Sequence, residues 1–261
     1  MIGFGEIRRL SAQWQMDLAA VEQLYATAWL LDGIFNQADL SARFFLRGAS
    51  ALRHAYFADY PPTETVELGA REPLAEKQLR DALADAARRA ANASQIQFAD
   101  ADIDRGSARF EYVGPLGRRS AAQPRVMLAL MTMQTRAPLT RAVLLKRFSD
   151  ARETSAPAIA VEEFAAERIA ALGQSPRARD VYDLWFVLTH EFDSARVRAL
   201  AQQIAAEKKI ALPRADAPFA PAHRAILERA WEKALQSVLD HPSLTQVEND
   251  LLLLLKGMRI S

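Results

Sequence analysis

Residues 44–68 read FFLRGASALRHAYFADYPPTETVEL, and the fold turns on them. Phe44 to Arg47 is a short apolar run of strand character. Gly48-Ala49-Ser50 is a turn of small residues, and Ala49 to Phe57 has the composition of a helix leaving it. Pro61 and Pro62 end that helix, because a residue preceding proline is pushed out of the helical region. Thr63 to Leu68 alternates, with Val66 and Leu68 on one face and Thr63, Thr65 and Glu67 on the other. Strand, small-residue turn with a hydroxyl, helix and second strand is the layout of a nucleotide-transferring site. Such chemistry needs a triphosphate positioned by backbone N–H groups and a hydroxyl, and magnesium held by carboxylates as pyrophosphate leaves. Carboxylates at alternate positions of the second strand point the same way; here those positions are Thr65 and Glu67.

Outward from this segment the patterns are mixed first and helical later. Upstream, Val21, Leu24, Tyr25, Ala28, Leu31, Ile34 and Phe35 follow helical spacing behind Asp17, a candidate N-cap. Downstream, Pro73 to Ala91 is alanine-rich and amphipathic. Ser94 to Ala99, Ala108 to Val113 and Arg125 to Met133 read as strands, the last two joined by the turn-rich GPLGRRSAAQP. The stretch 137–157 has no clear period. From Val161 onward the chain reads as helices at 162–172, 177–189, 194–207, 221–239 and 244–256. The expected fold class is therefore α+β: a mixed-sheet lobe over residues 1–150 followed by a helical lobe over 151–261.

Composition narrows the chemistry. The chain has 261 residues, 33 basic and 32 acidic, with a net charge of +1, so no general grip on nucleic acid or anionic membrane is indicated. A local basic patch, drawn from Arg88, Arg89, Arg118 and Arg119, would be needed for RNA. The absence of cysteine excludes disulfides, thiolate metal sites and cysteine nucleophiles, and fits a reducing cytoplasm. MIGFGEIRRL has no apolar core followed by a cleavage site, and the run Leu251 to Leu255 falls far short of the roughly 20 residues of a membrane helix. A soluble, cytoplasmic protein is expected. His54, His190, His223 and His241 have no partner at metal-ligand spacing. Trp14, Trp29, Trp185 and Trp231 sit in helical patterns and are expected in the core.

Set in order, the pieces resemble the AbiEii family of nucleotidyltransferase-fold toxins of bacterial toxin–antitoxin and abortive-infection systems. Val21-Glu22-Gln23-Leu24-Tyr25 stands where that family has a VEKDY-like helix, and Arg47-Gly48-Ala49-Ser50-Ala51-Leu52 where it has a KGGTAL turn. Thr63 to Leu68 stands for a SEDIDL-like metal strand, and Met127 to Met131, MLALM, for a later KLEIS-like strand. Val161 to Leu172 then precedes Arg179-Asp180-Val181-Tyr182-Asp183-Leu184, matching the family's helix and RDlYDl element. The resemblance spans residues 6–190.

It implies nucleotide contacts from Arg47, Gly48, Ser50 and Arg168, with Arg179, Asp180 and Asp183 bracing the site. It also implies magnesium with a nucleoside triphosphate as cofactor and a neighbouring antitoxin or defence-complex protein as partner. The expected metal positions fall on Thr65, Glu67 and Ala129, so Glu67 is the one candidate catalytic and metal-binding carboxylate. Ala49 replaces a glycine of the turn, and Arg168 replaces a lysine, a planar fork for a point donor. Two readings follow. One is a pseudoenzyme or binding module in a phage-defence system. The other is a divergent, active, magnesium-dependent transferase acting on RNA such as tRNA or on protein, with Glu64 or Glu72 helping Glu67 to re-form a site.

Overall fold

The protein is described from a computed structural model over residues 1–120, 124–172 and 176–260. The described residues divide into two compact units, one from 1–134 and 139–158, the other from 135–138 and 159–260.

The first unit is built around one long buried helix. After α1 (Phe4–Trp14), helix α2 (Leu18–Phe35) buries thirteen of its eighteen residues. Its apolar residues ring it rather than line one face, which marks a helix enclosed by its neighbours. Asp17 occupies the N-cap position of α2, but its side chain makes no capping hydrogen bond. The alanine-rich α5 (Glu76–Ser94) packs against α2 through Ala86 and Ala90. Gly33 permits that approach: a Cβ there would lie 2.2 Å from the Ala86 carbonyl oxygen.

The eight strands of this unit form one mixed sheet. They are β1 (Phe44–Leu46), β2 (Thr65–Ala70), β3 (Gln97–Phe98), β4 (Asp102–Asp104), β5 (Ser107–Val113), β6 (Arg125–Thr132), β7 (Thr140–Val143) and β8 (Ser155–Ala158). The order is β3-β5-β6-β2-β1-β8-β7, with β4 also paired to β5. β2 is antiparallel to β1 and parallel to β6, so the sheet is mixed at its centre. Val66, Leu68, Ala108, Phe110, Val126 and Leu128 alternate onto the buried face.

The structure corrects several expected elements. The helix expected over Ala49 to Phe57 is α4 (Gly48–Ala51) followed by a π-helical turn, Leu52–Tyr56. Helix α5 runs through Ser94, leaving only Gln97 and Phe98 of the strand expected at 94–99. The unreadable stretch 137–157 supplies β7 and β8, whose pairing partners lie far away in sequence or in each other. Of the connection GPLGRRSAAQP, Gly117–Arg119 form a 3-10 turn, while Ala121 to Gln123 lie outside the described residues.

The second unit is helical: α6 (Val161–Leu172), α7 (Ala178–Leu188), α8 (Ser194–Glu207), α9 (Pro221–Ala234) and α10 (Leu244–Gly257). Asp193 caps α8 by accepting from the Arg196 N–H at 3.0 Å, and Ser243 caps α10 through Gln246 at 3.2 Å. The expected helix at 221–239 stops at Ala234. Glu163 is fully buried and accepts the backbone N–H groups of Arg136 and Ala137, at 2.8 and 2.9 Å, tying residues 135–138 into this unit. In the leucine run, Leu251 and Leu255 are core, whereas Leu253 is 73% exposed. Trp29 and Trp231 are buried as expected; Trp14 and Trp185 are half-buried.

Candidate functional site

The expected site begins where β1 turns into α4. Arg47 is the last residue before the helix, and Gly48 takes a left-handed backbone, φ +56°. Any other residue at Gly48 is strained there, and a Cβ would lie 1.9 Å from Oε2 of Glu67. The Glu67 carboxylate thus sits in the space the glycine leaves. Its Oε2 accepts the Ala49 N–H at 3.0 Å, and its Oε1 lies 3.6 Å from the Arg47 guanidinium. Ser50 is fully buried. Its hydroxyl donates to the Thr65 carbonyl at 3.2 Å and accepts the Glu67 N–H at 2.8 Å. A hydroxyl has one proton, so the Ser50 donor is already engaged with β2.

Beyond the turn, two arginines hold the π-helical segment. Arg53 donates to the carbonyls of Ala58, at 3.2 Å, and Tyr60. Arg147 donates to Ala58 at 2.7 Å, to Arg53 at 2.7 Å and to Phe57 at 3.3 Å. Together they satisfy carbonyls left open where the helical turn ends. Burial disfavours the charge on both guanidiniums and pushes their pKa values down. His54, next to Arg53 in the chain, is 7% exposed. Burial first, and the charges of Arg53 and Arg147 second, push its pKa down to about 3.

On the half-exposed face of the sheet, strand register places Glu67 beside Ala129 and Thr65 beside Met127. This is the neighbour relation that the sequence reading gave to Ala129. The donor set there does not fit a magnesium centre. Thr65 offers a neutral hydroxyl, Ala129 a methyl group, and Glu67 a carboxylate whose two oxygens face Arg47 and the Ala49 N–H. Glu64 and Glu72 are exposed, and the Gln23 amide donates to the Glu64 carbonyl at 3.3 Å. Among the described residues, no group of three His, Cys, Asp or Glu side chains is placed to hold a metal ion. A groove of about 450 Å³ bordered by Phe44, Ala70, Leu79, Arg105 and Thr132 opens at the other end of β1 and β2, and none of the expected site residues lines it.

Arg168, Arg179, Asp180 and Asp183 belong to the second unit, where they form an ion cluster. Arg179 Nε is 3.0 Å from Asp183, and Arg177 Nε is 2.7 Å from Asp180. Arg168 reaches both acids, Asp180 at 3.4 Å and Asp183 at 4.0 Å, and stacks over Phe164 with its guanidinium carbon 4.7 Å from the ring centroid. Asp183 has 2% of its side chain exposed and Asp180 10%.

Sequence reasoning missed three buried carboxylates, each spanning a long stretch of chain. Glu22 accepts from the Leu116 N–H at 2.7 Å and the Ser120 hydroxyl at 2.5 Å. Asp32 binds Thr154 and, at 2.6 Å, Asn36. Glu163 binds Arg136 and Ala137, as above. An acid inside an otherwise apolar helical stripe was the available signal in all three. Of the basic residues that an RNA patch would draw on, Arg88 pairs with Asp85 and Arg119 lies 4.9 Å over the Phe4 ring. Arg89 and Arg118 are exposed. The histidines other than His54 bond backbone carbonyls: His190 to Phe186, His223 to Ala217 and His241 to Pro242. No helix among the described residues is long and apolar enough to cross a membrane.

Comparison with known proteins adds family and fold to this geometry. A family model described as "Nucleotidyl transferase AbiEii toxin, Type IV TA system" matches residues 29–251. No curated protein sequence matches the chain. Among solved structures, the nucleotidyltransferase toxin MenT4 from Mycobacterium tuberculosis superposes with a TM-score of 0.57 at 15% identity, over 91% of this chain and 94% of its own. A putative nucleotidyltransferase from H. pylori superposes with a TM-score of 0.55 at 9% identity, over 92% and 94% respectively. These likenesses show the nucleotidyltransferase-toxin fold.

Proposed function

This chain belongs to the AbiEii family of nucleotidyltransferase toxins of type IV toxin–antitoxin systems, and from that premise we propose that it is a member that no longer performs metal-dependent nucleotide transfer and acts as a binding module in a defence system. The observation that supports this reading is the sheet face itself. Thr65, Glu67 and Ala129 occupy the three positions where the family's carboxylates are expected, and only Glu67 carries a charge. Phosphoryl and nucleotidyl transfer are accelerated mainly by charge stabilisation, so a site stripped of metal-ligand charge loses several kcal/mol of transition-state stabilisation. Membership of the family also carries with it a companion antitoxin as partner.

The second reading, a divergent transferase acting on RNA or protein, draws on the preserved turn, with Gly48 in its left-handed conformation and Arg47 beside it. One experiment separates the two. The purified protein is incubated with each radiolabelled nucleoside triphosphate, magnesium and total tRNA, and incorporation into RNA and protein is counted. No incorporation above that of a Glu67→Ala variant is expected. Magnesium-dependent incorporation that disappears in Glu67→Ala would sink the proposal and establish the transferase.

A further inference from the structure

We propose that Glu67 serves as a built-in anion of the Arg47–Ser50 turn, holding shut the place that would receive a phosphate of a nucleotide. The inference rests on the non-transferring reading and says how that same site is regulated. Both oxygens of Glu67 are directed at the turn, one 3.0 Å from the Ala49 nitrogen and the other 3.6 Å from the Arg47 guanidinium. The carboxylate fills the volume that Gly48 leaves, since a Cβ there would meet Oε2 at 1.9 Å. A hydrogen-bond donor, a cation and an open glycine cradle are what a phosphate oxygen requires, and here a side chain of the protein takes them.

The strand that carries Glu67 is fastened to the turn from the backbone side as well. Ser50 donates to the Thr65 carbonyl and accepts the Glu67 N–H, and the Arg47 N–H donates to the Glu67 carbonyl at 3.1 Å. Glu67 therefore cannot leave by a small shift of its strand; its side chain has to rotate away. That side chain is 32% exposed, so the contact lies within reach of a ligand from solvent. A tethered group competes at an effective concentration in the millimolar range or above. An incoming phosphate must displace it, and beside the ionised carboxylate it meets like-charge repulsion. Removing Glu67 is therefore expected to open the turn, whereas removing a metal ligand would weaken nucleotide binding.

Inorganic tripolyphosphate, titrated calorimetrically into the full-length chain in the presence of EDTA, distinguishes these outcomes. Glu67→Ala is expected to bind at least about tenfold more tightly than the unaltered protein, with Glu67→Gln, which keeps the volume and an acceptor but not the charge, in between. Adding Arg47→Ala to Glu67→Ala should remove the gain. Equal or weaker binding by Glu67→Ala overturns the proposal, as does a gain that survives loss of Arg47. Thermal melting reports whether each variant is folded; if Glu67→Ala is not, Glu67→Gln decides, a gain supporting the proposal and no gain overturning it. The transfer reading is judged separately, in magnesium and by radiolabel incorporation. A transferring wild type with a metal-free gain in Glu67→Ala would sink the non-transferring reading alone, and a silent wild type without the gain would sink the built-in anion alone.

Discussion

The turn at Arg47–Ser50 and the charged cluster on α6 and α7 have fared differently within one chain. At the sheet face, two of the three positions where carboxylates are expected are neutral, and the third has been captured by its own turn. In the cluster, Arg168, Arg179, Asp180 and Asp183 remain charged and are all paired. The contrast follows from what each residue does for folding. Thr65 and Ala129 stand on a half-exposed strand face, where a carboxylate contributes chemistry but little stability. Asp183 is almost wholly buried, and a buried acid whose partners are removed is left as an uncompensated charge. On the non-transferring reading, residues that serve only a reaction tolerate replacement one at a time, whereas a buried acid of an ion network does not.

The largest effect expected from this contrast is at Asp183. Asp183→Ala leaves Arg179 and Arg168 without this carboxylate in a dry environment and should cost about 3 kcal/mol of stability, the scale for breaking a buried pair. Hydrogen exchange of the α6 and α7 amides, which reads the second unit by itself, is the appropriate measurement. Protection unchanged in the variant would mean that the cluster is not architectural, and the contrast between the two regions would collapse.

Acid should act on the other region. His54 lies in the π-helical segment that follows the turn, with its pKa pushed down to about 3, against an ordinary value of 6.5. Between these values the unfolded chain binds a proton that the folded chain does not, so the stability contributed by neutral His54 is lost as pH falls below 6.5. The loss is roughly 1.4 kcal/mol per pH unit, or about 2 kcal/mol at pH 5. His54→Gln, which does not titrate, should flatten the pH dependence of exchange in β1 and β2 over pH 5–6.5. An unaltered slope in that variant would place the acid sensitivity elsewhere.

Much of this was legible in the sequence, and the remainder was hidden for identifiable reasons. The alternation of Thr63 to Leu68 and of Arg125 to Met133 placed Thr65 and Glu67 on one face, and the family pattern paired Ala129 with them; the register agrees. The helices of the second half were readable because amphipathic periodicity is local. The π-helical turn at Leu52–Tyr56 was not, because a single widened turn leaves no repeat in the apolar spacing. Strands β7 and β8 have four residues each, and β8 joins the sheet at Leu46, more than a hundred residues away in sequence. The roles of Glu22, Asp32 and Glu163 depend on loops brought to them by folding. Glu67 shows the same limit most clearly. Its presence and its face could be read, but not that Gly48 would leave room for its carboxylate to bend back onto the Ala49 N–H.

The smallest expected effects are at Thr65 and Ala129, the two neutral positions where the family resemblance leads one to expect carboxylates. The Thr65 hydroxyl makes no hydrogen bond among the described residues, and Ala129 sits half-exposed beside Glu67. Thr65→Ala and Ala129→Ser should therefore each change stability by less than about 0.5 kcal/mol, the scale of surface substitutions away from special features. Chemical denaturation of the two single variants and of the pair measures this. Near-additive, near-zero values mean that the fold places no demand on these positions, as the non-transferring reading expects. A cost of 2 kcal/mol or more at either would mean that Thr65 or Ala129 carries packing of its own. In that case the fold does constrain the face, and the contrast with the ion cluster weakens.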